Sequence, residues 1–264
     1  SAGRFHGEKV IICTGGASYP QTGSDGYGYK LAVSAGHTIV DPSPSLVPLT
    51  VSEKWCRELS GLSLKNVAVT AEDSAGKKLY SGFGEMLFTH FGVSGPLILS
   101  MSAHIKKSIG DGCVIAIDLK PALASEQLDA RLIRELGEKK KKHLVNSLDG
   151  LLPKALIPVI IDIAGIDPHK PVCELSKSER QLIGGILKRL ELHVTGFRPI
   201  EEAIVTSGGV KTNEIDPSTM ESKLVKGLYF AGEIIDVDGY TGGYNLQAAW
   251  STGYLAGISA AAAE

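Results

Sequence analysis

Long apolar runs are missing from this 264-residue chain. The nearest candidates, 151–163 and 254–263, are too short or are broken by Pro153, Pro158 and Gly257, so neither reads as a bilayer span. No signal peptide is visible, and the compartment expected by default is the cytoplasm. Neither sign of charge predominates: 27 Lys+Arg against 29 Asp+Glu give a formal net charge of −2. That balance leaves no electrostatic footprint for nucleic acid or an anionic membrane. Cysteine is scarce. Cys13, Cys56, Cys113 and Cys173 lie far apart, with no C-x-x-C pair and no histidine at metal-ligand spacing. Reduced structural thiols and no metal site are therefore expected. What remains, 43% hydrophobic and 21% charged residues, is an ordinary globular composition. It is enough for one sizeable core and for two or three subdomain cores.

Both ends of the chain carry the same local pattern. Near the C-terminus an apolar run, Gly227-Leu-Tyr-Phe-Ala-Gly232, stops at Glu233, passes through a glycine-rich loop to Gly242-Gly243-Tyr244-Asn245-Leu-Gln247, and restarts as a small-residue helix. Near the N-terminus Lys9-Val-Ile-Ile-Cys-Thr14-Gly15-Gly16 runs a short strand into glycines, followed by Gly23-Ser-Asp25-Gly26-Tyr-Gly28 and a helix up to Gly36. A strand that ends in glycines before a helix lets backbone approach a ligand and offers free N–H groups at the positive end of the helix dipole. Such a crossover suits a diphosphate or an electron-rich ring edge.

The segments 10–26 and 227–247, together with Gly84-Glu-Met-Leu-Phe-Thr-His-Phe-Gly-Val-Ser-Gly-Pro96 and Thr206-Ser-Gly-Gly-Val210 followed by Thr219-Met-Glu-Ser222, resemble the BaiN/YhiN-like bacterial flavoproteins. These are NAD(P)/FAD-dependent oxidoreductases, and the resemblance runs over essentially the whole chain. It implies FAD as cofactor, NAD(P)H as an electron donor and a small-molecule substrate. No G-x-G-x-x-G turn occurs in the sequence. The chain therefore looks like the later part of a flavoprotein whose first dinucleotide-binding unit is absent.

The fold class expected is mixed α/β and α+β. A partial FAD/NAD(P)-binding Rossmann-type domain, 1–44 and 211–264, is interrupted by a β-barrel-like insert, 45–123 and 191–210, and a small helical subdomain, 124–190. The strand-like stretches in the insert are Lys65–Glu72, Lys77–Tyr80 after a turn at Asp73–Gly76, and Cys113–Lys120. His193–Arg198 and Glu202–Gly209 read as strands returning to it. In the helical part Ser125 is placed to cap 126–138, Pro153 opens a segment through Ala164, and Ser176-Lys-Ser-Glu179 reads as a capping box before 180–190.

Thr14, Gly15 and Gly16 are expected near the FAD diphosphate or ribose. Asp25 is either a cofactor contact or a turn cap. Gly232 and Glu233 end a strand where the acid would accept a ribityl hydroxyl. Gly242, Gly243, Tyr244, Asn245 and Gln247 would bring N–H groups to the pyrimidine edge of the flavin, where negative charge gathers on reduction. No catalytic base is assigned. His90 reads first as a packed, hydrogen-bonded histidine and second as an acid/base group facing substrate, and Cys13 reads as a small buried hydrophobe. Lys139-Lys-Lys-Lys142 lacks aromatic interleaving and is read as a solvated helix end. The leading function is an FAD-dependent oxidoreductase of unknown substrate. The rival is a non-catalytic interaction module with remnant nucleotide-binding turns, and a flavoprotein acting on RNA is disfavoured by the charge balance.

Overall fold

The computed structural model describes residues 6–262. The chain divides into two compact units, one made of Ser1–Pro48 with Phe197–Glu264 and the other of Leu49–Gly196. The first unit opens with β1 (Val10–Ile12), α1 (Tyr27–Ser34) and β2 (Ile39–Ser45). The second contains β3 (Leu49–Val51), β4 (Ser63–Glu72), β5 (Lys78–Thr89), β6 (Gly92–Ser94), α2 (Pro96–Ser102) and β7 (Val114–Asp118). It continues with α3 (Ser125–Gly137), α4 (Leu156–Ile163), α5 (Lys177–Lys188) and β8 (Leu190–Phe197). The first unit resumes with β9 (Val205–Val210), β10 (Leu228–Phe230) and α6 (Tyr244–Ala262).

The second unit is a closed six-stranded barrel in the order β3-β6-β5-β4-β7-β8, with a helical part inserted between β7 and β8. Alternation makes the barrel: Val67, Val69 and Ala71 on β4 and Leu190, Leu192 and Val194 on β8 are buried while their neighbours face outward. At the β4–β5 turn the Asp73 carboxylate accepts the N–H groups of Ala75 and Lys77 at 3.0 and 2.9 Å, the turn chemistry expected of Asp. In the helical part Leu128, Leu132 and Leu136 recur every fourth residue and bury one face of α3. The capping box at α5 forms as read, with Ser176 Oγ accepting the Glu179 N–H at 3.2 Å and Glu179 Oε2 accepting the Ser176 N–H at 2.8 Å. Ser125 lies inside α3 instead of capping it. The N-cap position falls to Ala124, which has no side chain to accept an N–H of the first turn; Gln127 Oε1 accepts the Ala124 N–H at 3.0 Å, the return half of a capping box alone.

The first unit is built on β1 and β10, which pair in parallel with Ile12 opposite Phe230. The two glycine turns read from the sequence therefore leave the sheet at the same, carboxyl-terminal edge. Ile12, Tyr29, Ala32, Phe230, Ile234 and Ala256 form part of the core between this sheet and its helices. One boundary differs from the sequence reading. Of the stretch 191–210 expected with the barrel, the part from Phe197 on belongs to the first unit, where β9 pairs antiparallel with β2, Val210 opposite Ile39 and Val205 opposite Ser45. Gly208 and Gly209 are the reason. A Cβ on Gly208 would lie 2.5 Å from the Asp41 carbonyl oxygen, and one on Gly209 would strike the Ile234 carbonyl, so only glycine lets β9 sit between these backbones.

Candidate functional site

Thr206 and Glu233 join the two glycine turns. Thr206 Oγ1 accepts the N–H groups of Ala17 and Ser18 at 2.8 and 3.0 Å. Glu233 Oε1 in turn accepts the Thr206 N–H at 2.6 Å and the Ser18 hydroxyl at 3.2 Å. Thr206 and Ser18 are buried, so each bond replaces one that water would otherwise supply. Gly16 has to be glycine at this junction, because a side chain there would collide with Thr206 Oγ1 and approach Glu233 Oε1 to 3.0 Å.

Beside the junction lies a cavity of about 670 Å³, a volume ordinary for a cofactor or small-ligand site. Its walls include Ile204, Ile235, Val237 and Leu246, with Ala248 and Ala249 presenting a low face of α6. Gly232, Glu233, Gly242, Gly243 and Asn245 also line it. The first backbone bond into α6 runs from Gln247 N–H to the Gly243 carbonyl at 2.9 Å. The N–H groups of the turn before Gln247 are thus outside the helical ladder, and the helix begins at the cavity wall. Gly242 and Gly243 hold φ of 110° and 94°, and a Cβ on Gly243 would meet nothing within 4 Å. Small residues, an apolar interior and a helix N-terminus at one edge fit a planar ring with electron-rich atoms along one side.

The expected site residues divide into two groups. Gly232, Glu233, Gly242, Gly243 and Asn245 come together on the cavity. Thr14, Gly15, Gly16, Asp25, Tyr244 and Gln247 are not among its walls. Asp25 Oδ1 accepts the Tyr27 N–H at 2.9 Å, an Asx-type turn just ahead of α1, whose N-cap is Gly26. Gly15 faces Ser24 rather than open space. The N–H of Gln247 is spent on Gly243, and its side chain donates to Ser251 Oγ at 3.0 Å. The Asn245 side chain is a staple, accepting the Gly239 N–H at 2.8 Å and donating to the Gly239 carbonyl at 2.9 Å. It closes the glycine loop on the start of α6. The sequence assigns no site role to Thr206, although it lies in a motif that carries the resemblance, nor to Ser18 or Thr252. Thr252 Oγ1 accepts the Gly232 N–H at 2.9 Å, and nothing in the sequence sets it apart from Ser251 and Ser259 on the same helix.

Away from the cavity, the side chain of His37 is fully buried against Ser222, with Nε2 2.7 Å from Ser222 Oγ. Its Nδ1 lies 3.3 Å from Glu214 Oε2, out of hydrogen-bond alignment. Hydrogen bonding from Thr38, then the charge of His37, holds the Glu214 carboxyl below the usual glutamate range. A depressed carboxyl stabilises the fold above its unfolded value near 4.5, and that contribution is lost as pH falls through the folded value. Stability measured by denaturant from pH 6 to 3 should fall less steeply in Glu214→Gln than in the parent; parallel profiles would contradict this role. Burial pushes the Tyr29 phenol up to about 12, with Glu233 and Asp236 adding to it, so it stays protonated. Burial likewise raises Cys56 to about 12 and Cys113 to about 11, which makes both poor nucleophiles. Cys13, expected as a buried hydrophobe, is exposed at the end of β1. His90 is exposed between β5 and β6, its ring edge-on to Phe91 at 4.9 Å. Among the described residues no helix is long and apolar enough to cross a membrane.

Comparison with known proteins places these units. Residues 43–205 match the HI0933-like protein barrel and H2TH domain, and residues 199–264 match glucose inhibited division protein A. The chain is 35% identical to a 3-dehydro-bile acid delta(4,6)-reductase of Clostridium scindens, over 98% of this chain and 63% of that protein. It is 36% identical to a ribosomal RNA dihydrouridine synthase of Haemophilus influenzae, over 96% of this chain and 60% of that protein. The corresponding synthase of Escherichia coli is 35% identical over 94% and 59%. The chain thus spans about three fifths of the length of these relatives. A barrel-domain model matched over more than half of its residues, and relatives sharing over a third of its positions, make the chain a member of the HI0933-like, BaiN/YhiN-like flavoprotein family.

Proposed function

We propose that this chain forms the flavin-ring site of an FAD-dependent reductase that saturates a carbon–carbon double bond conjugated to a carbonyl. The observation that carries the reading is positional. Apart from Leu46, every residue on the cavity wall falls within 199–264, the segment matched by the glucose inhibited division protein A model. The relatives' names supply the reaction class. A 3-oxo bile acid with double bonds at positions 4 and 6, and a uracil with its double bond beside a carbonyl, are both conjugated alkenes. One chemistry covers both: hydride adds to the carbon distant from the carbonyl, a proton adds to the nearer carbon, and the alkene is reduced. A pyrimidine held in RNA is therefore within the proposed substrate class, beside small conjugated ketones.

FAD, when bound, supplies hydride transfer between a reduced nicotinamide and the alkene. The chain's own part is to hold and tune. Gly232, Gly242 and Gly243 leave room for a ring, and the N–H groups opening α6 favour charge at its edge. Ile204, Ile235, Val237 and Leu246 give that space an apolar lining against which a ring can pack. The Glu233 carboxylate, fixed through Oε1, keeps Oε2 for a hydroxyl donor on the cofactor. The test is turnover. With FAD and NADH or NADPH, the protein should consume nicotinamide in the presence of a conjugated enone or a uridine-containing RNA, and should leave the saturated analogue untouched. Equal oxidation with and without the alkene would show an oxidase and overturn the assignment.

A further inference from the structure

We infer that the turn 139–143 in the helical part is a contact surface for the phosphate backbone of RNA. The inference rests on the reading that a pyrimidine in RNA belongs to the substrate class. Its basis is a division of labour among four consecutive lysines. Lys139 is the anchor: its Nζ donates to the Ser147 carbonyl at 3.1 Å and pairs with Asp149. Lys140, Lys141 and Lys142 are exposed, and none of them has an ion-pair partner among the described residues. The backbone that carries them is held on both sides. Lys142 N–H closes a turn on the Lys139 carbonyl at 2.8 Å, while the carbonyls of Lys140 and Lys142 accept the N–H groups of Cys173 and Val172 at 3.2 and 3.0 Å.

A merely solvated helix end needs no such clamp, and its like charges would spread apart by fraying. Here three ammonium groups are displayed from a fixed turn, so little backbone entropy is lost on binding an anion. His143 and His169 extend the surface. Both are exposed, their Nδ1 atoms lie 3.3 Å apart and their rings meet edge-on at 5.5 Å. Of the acids nearby, Asp149 takes Lys139, Asp167 Oδ1 accepts the His169 N–H at 2.9 Å and Glu179 pairs with Lys170 at 2.7 Å, while Glu138 and Glu174 are exposed and offset part of the positive charge. A membrane is the poorer fit, because no large apolar side chain is exposed within 139–143 or 167–174 to enter a lipid interface. The overall charge of −2 predicted no nucleic-acid footprint, but a net value averages over a local surface of one sign.

The experiment is a salt-dependent anisotropy titration of the full chain with fluorescein-labelled single-stranded RNA. The parent is compared with a Lys140→Gln, Lys141→Gln, Lys142→Gln triple variant and with the matching triple arginine variant. Each lost phosphate contact should lower the slope of log affinity on log salt by about 0.7, so the glutamine variant should lose about 2 from the slope and at least tenfold in affinity at low salt. The arginine variant should bind as the parent does, and all three proteins should melt at the same temperature. Equal slopes in parent and glutamine variant, no RNA binding by the parent, or displacement of RNA by an equal charge of poly-glutamate would each overturn the inference. Riboflavin quenching, read in the same samples, keeps the two proposals apart. Its absence alongside an intact RNA slope would remove the flavin reading and leave the surface standing.

Discussion

Thr206→Val should destabilise the first unit by about 3 kcal/mol or more, the largest effect expected of any single near-isosteric change in the chain. Valine keeps the shape of threonine at a position that is 1% exposed. It removes the one oxygen that satisfies both the Ala17 and Ser18 N–H groups. Each buried donor left without a partner costs about 1–3 kcal/mol, and two N–H groups lose theirs together. Urea unfolding followed by circular dichroism should show the loss as a lower midpoint at unchanged slope. Thr206→Ser, which keeps the hydroxyl, should recover most of it. A valine variant with the parental midpoint would mean that the two glycine turns are held by something other than this hydroxyl.

The second large effect concerns ligand retention without loss of fold. Ala249 presents a methyl group on the cavity side of α6, and a Cβ on Gly232 would come within 3.9 Å of it. Ala249→Phe fills the space between these elements from a helical position that accepts phenylalanine readily. Flavin affinity should fall at least tenfold while the melting temperature stays close to the parent's. Gly243→Val acts on the same wall by another route. Its φ of 94° is costly for a branched residue, and the side chain would enter space that is empty at present. Both variants should lose flavin in fluorescence-quenching titrations. If Ala249→Phe retains parental affinity, the ring sits elsewhere.

Much of the architecture was legible because it depends on short-range chemistry. β1 and β10 announce themselves as apolar runs that stop at glycine, and the Asp73 turn and the Ser176 capping box follow from side chains that bond their own backbone neighbourhood. The errors came from contacts distant in sequence. The stretch 205–210 reads correctly as a strand, but only the close approaches of Gly208 and Gly209 reveal that its neighbours are β2 and the 234–235 backbone. β2 itself contains Pro42 and Pro44, which hide it from a strand pattern, and its register breaks between Val40 and Ser43 to accommodate them.

The candidate site was half legible for the same reason. Gly232, Glu233, Gly242 and Gly243 are marked by glycine and charge in an otherwise apolar setting, and they do line the cavity. Asp25, Asn245 and Gln247 carry the right chemistry at the right place in the sequence, yet they spend it on Tyr27, Gly239 and Ser251. Local staples and ligand contacts draw on the same residue types, and only the bonding pattern separates them. α6 posed a different difficulty. It carries no charge over Tyr244–Ala262, so no polar stripe tells which face packs, and Leu246, Trp250, Tyr254 and Ile258 prove to be exposed at intervals of four.

The most direct test is a parallel titration of the chain, and of its Ala249→Phe variant, with FAD and with riboflavin, read by quenching of flavin fluorescence. On the proposed placement of the flavin ring in the cavity, and with no G-x-G-x-x-G turn in the chain to hold a diphosphate, both ligands should bind the parent with similar affinity. Both should be weakened together by the phenylalanine. No quenching by either ligand in a cooperatively folded chain, or quenching that survives Ala249→Phe, would contradict the placement of the flavin ring beside Gly232 and the start of α6.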